Sequence, residues 1–69
     1  MKKVFTMLVM ANDTTRMEKL FNMFRIGLND WDRSKIFDIQ GNQVVNYTIV
    51  CEEAQFNELV NQMNGTRVY

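Results

Sequence analysis

Apolar residues crowd the first stretch of this chain. Over residues 3–11, Val4, Phe5, Met7, Leu8, Val9 and Met10 fall on both sides of a two-residue alternation. A β-branched, aromatic-rich segment with two apolar faces predicts a strand inside a sheet. Asn12-Asp13-Thr14-Thr15 then breaks the pattern, and the period changes to that of a helix. Thr15 with Glu18 has the spacing of a capping box, with Asp13 as an alternative cap. Met17, Leu20, Phe21, Phe24 and Leu28 fall on one stripe, which predicts the buried face of a helix ending at residues 28–30. On that helix Met23 and Ile26 point elsewhere, beside Arg16 and Lys19.

Residues 29–33 read as a polar loop holding the only tryptophan, Trp31. Strands are expected over about 35–40 and 43–51, with a hairpin at Gly41-Asn42. A two-residue loop there would set Ile39 beside Val44 and Phe37 beside Asn46, mixing polar and apolar residues on each face. A three-residue loop, Gly41-Asn42-Gln43, sets Ile39 beside Val45 and Phe37 beside Tyr47. It gathers Phe37, Ile39, Val45, Tyr47, Ile49 and Cys51 on one face, so the hydrophobic pattern predicts this register, with Asn42 or Gln43 left-handed. Glu52-Glu53 suit the positive end of a second helix, whose stripe is Phe56, Leu59, Val60 and Met63. Gly65 is placed to end it, and residues 66–69 would form a short last strand. The order β-α-β-β-α, with a possible final β, is that of the ferredoxin-like split βαβ. The expected fold is therefore α+β, a single domain over residues 1–69 with two helices on one face of an antiparallel sheet and the first and third strands central.

At 69 residues the chain has room for one small domain, and such domains gain much from further burial against a partner. Cys51 is the only cysteine and there is no histidine, so an internal disulfide and a Cys/His zinc site are excluded. A hydrophobic share of 46% with 23% charged residues belongs to a folded chain. Eight basic residues balance eight acidic ones, which argues against a dedicated nucleic-acid grip. The charge is uneven: seven basic against four acidic residues up to Ile36, one against four beyond it. Such a dipole suits a complementary partner or a second copy of the chain. The charged opening Met1-Lys2-Lys3 resembles a signal-peptide start, but Asn12-Asp13 end the apolar run before any cleavage site. No run approaches the roughly 20 apolar residues of a membrane span. A cytoplasmic protein with no membrane association is expected. Frequent asparagine and absent proline point to an AT-rich genome, such as many phages have.

Three surfaces are candidates for function. If Phe5, Met7 and Val9 face the helices, then Val4, Leu8 and Met10 face away, joined by Val44, Thr48 and Val50 of the third strand and Ile36 of the second. Two layers leave this sheet face uncovered, and an exposed apolar patch marks an interface or a dimer contact. The second surface is the outer side of the first helix, where Arg16 and Lys19 rim Met23 and Ile26. The third is Trp31, read equally as a binding anchor and as a lid over the core. An alternative reading exchanges the sheet faces, so that Phe5, Phe37 and Tyr47 stack the bases of RNA or single-stranded DNA. The segment Val44-Val45-Asn46-Tyr47-Thr48-Ile49 lacks the basic and glycine residues of RNA-recognition modules.

Catalytic chemistry finds little to use. There is no histidine for general acid–base work, no glycine-rich phosphate loop, and Cys51 falls on the predicted core face. The run Met7-Leu8-Val9-Met10-Ala11-Asn12-Asp13, followed by a basic-flanked helix, resembles the opening of the small CRISPR-associated ferredoxin-like nucleases. That resemblance covers little more than the first strand and helix. It implies a dimer and a metal at an aspartate after the first strand, here Asp13. As a helix cap Asp13 needs no metal. The expectation is thus no enzyme, no metal and no cofactor. The chain reads as a small protein-binding module, in the manner of a phage or mobile-element protein that occludes a host protein, with homodimerisation through the sheet compatible.

Overall fold

The computed structural model describes residues 1–63. Strand β1, Lys3–Met10, leads through a 3₁₀ turn, Ala11–Asp13, into helix α1, Thr14–Met23. Two short strands follow, β2 at Trp31–Arg33 and β3 at Phe37–Ile39, then the long strand β4, Asn42–Cys51, and helix α2, Glu53–Gln62. The class is α+β, a four-stranded antiparallel sheet with two helices. Residues 64–69, which hold the expected helix stop at Gly65 and the expected last strand, lie outside the described residues.

β4 organises the sheet. It pairs with all of β1 on one side, from Lys3↔Cys51 to Met10↔Val44, and with β2 and β3 on the other. Among the described residues β1 has β4 as its only neighbour, so the two-sided apolar character of β1 does not come from a central position there.

β2 and β3 follow one another along the same edge but are out of step. Arg33 pairs with Tyr47 and Phe37 pairs with Val44, so residues 34–36 oppose only Val45 and Asn46. This is a β-bulge, one extra residue on the edge strand. Ser34 holds it from both ends. Its amide donates to the Asn46 carbonyl at 2.9 Å, and its hydroxyl accepts the Asn46 amide at 3.0 Å, standing in for a ladder carbonyl.

The hairpin is a correction to the sequence reading. Ile39 pairs with Asn42, and the loop is the two residues Gln40 and Gly41, both left-handed with φ of 51° and 86°. Two successive positive φ values match the twist of an antiparallel pair. Gly41 supplies one freely, and its amide donates to Asp38 Oδ2 at 3.2 Å. The expected three-residue loop would have kept Phe37 beside Tyr47. The observed register, combined with the bulge, sends Phe37 and Ile39 to the opposite face.

The start and stop of α1 also differ from expectation. Thr15 and Glu18 form no capping box. The helix begins at Thr14, and Asp13 occupies the cap position without a side-chain hydrogen bond. The helix ends at Met23, a turn or more early. Arg25 takes the left-handed conformation at φ 59°, its amide donates to the Asn22 carbonyl at 3.2 Å, and the Ile26 amide donates to the Phe21 carbonyl at 2.8 Å. These are the two bonds of a Schellman motif, which characteristically folds the next apolar residue back onto the last turn. Ile26 therefore enters the core, only 5% exposed, while Leu28 is left on the surface.

The core lies between the helices and one face of the sheet. β1 gives Met7 and Val9, β4 gives Val45, Tyr47, Ile49 and Cys51, α1 gives Met17, Leu20 and Phe21, and α2 gives Leu59 and Met63. Phe5 stacks on Phe56 of α2 with ring centroids 4.3 Å apart. The α2 stripe is thus the one the period predicts. Gln55 Oε1 accepts the Glu52 amide at 3.1 Å at its start, and its Nε2 donates to the Phe24 carbonyl, tying α2 to the end of α1.

Candidate interaction surface

Residues paired across strands share a face, and alternate residues change face. The β1–β4 register therefore puts Val4 with Val50, Thr6 with Thr48, Leu8 with Asn46 and Met10 with Val44 on the side away from the helices. Phe37 joins Val44 there from β3, and Asp32 joins Thr48 from β2. Neither described helix packs on this face. Val4 is 67% exposed and Phe37 40%, while Leu8, Met10 and Val50 are half-buried by their neighbours.

Its texture is banded. An apolar row, Val4–Val50, lies at one end. A polar band follows, made of Thr6, Thr48, Asp32 and Asn46 beside Leu8. A second apolar row, Met10–Val44–Phe37, lies at the other end. A depression lined by Met10, Ala11, Asn12 and Gln43 adjoins that second row and contains no charged side chain. Val44 itself is fully buried between Met10 and Phe37, so it supports the patch from below and offers no surface of its own. Ile36 lies in the bulge and is 55% exposed, next in the chain to Phe37.

The outer side of α1 keeps only part of its expected set. Lys19 and Met23 are exposed, and Arg16 is exposed with its guanidinium donating to the Gln62 carbonyl at 2.8 Å. Ile26 does not belong to this surface, because the Schellman turn carries it inward.

Trp31 is not in a loop. It stands in β2 opposite Ile49, half-buried, with its ring 4.9 Å from Phe21 and 5.9 Å from Tyr47. That is the position of a lid over the end of the core.

Sequence reasoning missed one polar cluster. Glu18 Oε2 accepts the Tyr47 hydroxyl at 2.8 Å and Arg33 Nη1 at 2.8 Å, joining α1 to β4 and β2. Burial, reinforced by the bond to Glu18, pushes the Tyr47 phenol up to about 12. The spacing of Glu18 from Thr15 pointed to a cap. Its tertiary partners carry no local signal.

The aromatic set of the nucleic-acid alternative is divided by the fold. Phe5 and Tyr47 lie under the helices and Phe37 lies on the opposite face, so the three form no common platform. Cys51 is buried, and burial, with smaller contributions from Glu52 and Asp30, pushes its thiol up, away from the reactive thiolate. Asp13 is in no group of three or more metal-ligating side chains among the described residues. No described helix is long and apolar enough to cross a membrane. No protein-family model matches the chain, and neither do any of the curated proteins or solved structures compared with it.

Proposed function

We propose that this chain is a small non-enzymatic protein-binding module that works by covering a surface of its partner. The observation that carries the reading is the banded, uncovered sheet face. Its apolar rows, Val4–Val50 and Met10–Phe37, are set by the pairing of β1 and β3 with β4, and apolar area of this kind is stabilised by contact with a protein. The finer fold assignment, a ferredoxin-like split βαβ, is part of the proposal. It is supported by the chain order and by the pairing order β1-β4-β2, with β2 and β3 taken as one strand interrupted at Ser34.

The test is affinity capture of the tagged chain from extract of its native cell, with nuclease added, comparing wild type with Val4→Asp. Val4 is largely exposed, so the variant spares the core. A protein retained by wild type and lost with Val4→Asp supports the reading. Capture that disappears on nuclease treatment alone defeats it.

A further inference from the structure

We infer that the occupant of the uncovered sheet face is a second copy of this chain, giving a two-fold, face-to-face dimer. The inference rests on the reading of that face as a contact surface. Its first support is charge. The outward residues of β1, β3 and β4 carry no charge, and the ionised groups that alternation sets on that side are Asp32 of β2, Asp30 beside Val50 and Lys2 just before β1. A strongly charged partner finds no complement there. At the rim Lys2 and Asp30 neutralise each other at 3.5 Å.

The second support is the banding. A two-fold contact is self-complementary, residue i on residue j and j on i. Consider an axis in the contact plane and across the strands, passing between the Thr6–Thr48 and Leu8–Asn46 pairs. It sets Val4 of one copy over Met10 of the other, and Val50 over the position of the buried Val44, where Met10 and Phe37 supply the surface. Thr48 then faces Asn46, and hydroxyl and amide can each donate and accept. Asp32 falls over Ser34 rather than over its own copy, so no like charges meet. Apolar rows at both ends of a polar band are what this operator requires.

Area adds no support of its own, but it sets the strength. β1 is eight residues long. At about 3.3 Å per residue and three strands about 4.8 Å apart, the face is on the order of 400 Å² flat. A standard interface buries about 800 Å² per partner. The dimer is therefore weak, with a dissociation constant in the micromolar range or above.

Sedimentation equilibrium tests this on the purified chain, from about 10 μM to about 1 mM, a range spanning about two decades of affinity. Wild type should pass from monomer toward dimer across it. Val4→Asp and Thr48→Glu, both at exposed positions, should each raise the dissociation constant about tenfold or more, since each adds a charge to the contact and Glu at position 48 stands beside Asp32 with no cation to pair with. Lys19→Glu, on the outer side of α1, should leave it unchanged. Thermal melts of the variants confirm that they fold. A chain that stays monomeric throughout overturns the inference, as does association that both sheet variants leave intact. A monomeric chain whose capture of a foreign protein is still lost with Val4→Asp overturns the dimer alone and leaves the protein-binding reading standing.

Discussion

The two faces of the sheet are made from alternate residues of the same two strands. On β4, Tyr47 and Ile49 lie under the helices and are fully buried, while Thr48 and Val50 between and beyond them lie on the open side. On β1, Met7 and Val9 are buried while Leu8 and Met10 are only partly covered. Hydrophobicity alone does not separate the sets, since Val50 is about as apolar as Ile49. What separates them is the layer above: α1 and α2 close one face, and the other has no helix over it, with Val44 alone fully buried there.

The sharpest way to break this comparison is to truncate neighbours on opposite faces. Ile49→Ala leaves a cavity beneath both helices and should cost about 2–5 kcal/mol in chemical denaturation. Val50→Ala, one residue along, should cost about 1 kcal/mol or less, because its side chain is only partly buried. Equal losses would mean that the open face is closed in solution by something as tight as the helices. A dimer of the strength inferred above would not equalise them at low concentration.

Much of this contrast is legible in the sequence. The alternation along β1 and β4 puts Val4, Leu8, Met10, Val44, Thr48 and Val50 on one side, and the helical period of α2 selects Phe56, Leu59, Val60 and Met63. Three local events are not legible, for a common reason. The bulge depends on the Ser34 hydroxyl replacing a carbonyl, the hairpin turns at Gln40 before the expected glycine, and α1 stops at Arg25. Each uses a residue whose type does not announce the conformation. Each shifts the periodicity downstream of it: Phe37 changes face, Ile26 goes inward and Leu28 comes out. Pattern reading assumes an unbroken period, so it errs just past each interruption.

The closed face has its own polar margin, the Glu18–Tyr47–Arg33 cluster, and pH sharpens the comparison there. The Tyr47 phenol is raised in the folded state above its ordinary value of 10.0, to about 12. The folded chain thus holds this proton more tightly than the unfolded chain does. The contribution is complete below about pH 10 and is lost as pH rises toward about 12, with a magnitude on the order of 2 kcal/mol. Denaturant midpoints measured from pH 8 to pH 12, on wild type and on Tyr47→Phe, isolate this slope from the lysines, which titrate in both. Wild type should lose stability faster over the upper two units. Parallel profiles would show that burial does not raise the phenol in the folded chain.

The smallest effect is expected where α1 stops, at a site that belongs to neither face. Arg25 is a long, unbranched cation in a backbone region that favours glycine, and it is there because the Schellman bonds to Phe21 and Asn22 demand positive φ. Arg25→Gly relieves that strain but loosens the unfolded chain, and the two effects oppose each other. The strain dominates when the native φ is left-handed, so a net gain of about 0.5–1 kcal/mol is expected in a thermal melt. Because the turn seats Ile26 under the helices without touching the sheet's outer side, the same variant should leave self-association unchanged. A stabilised chain with altered self-association would mean that the end of α1 shares in the contact. A destabilised chain would mean that the side chain of Arg25 itself holds the turn.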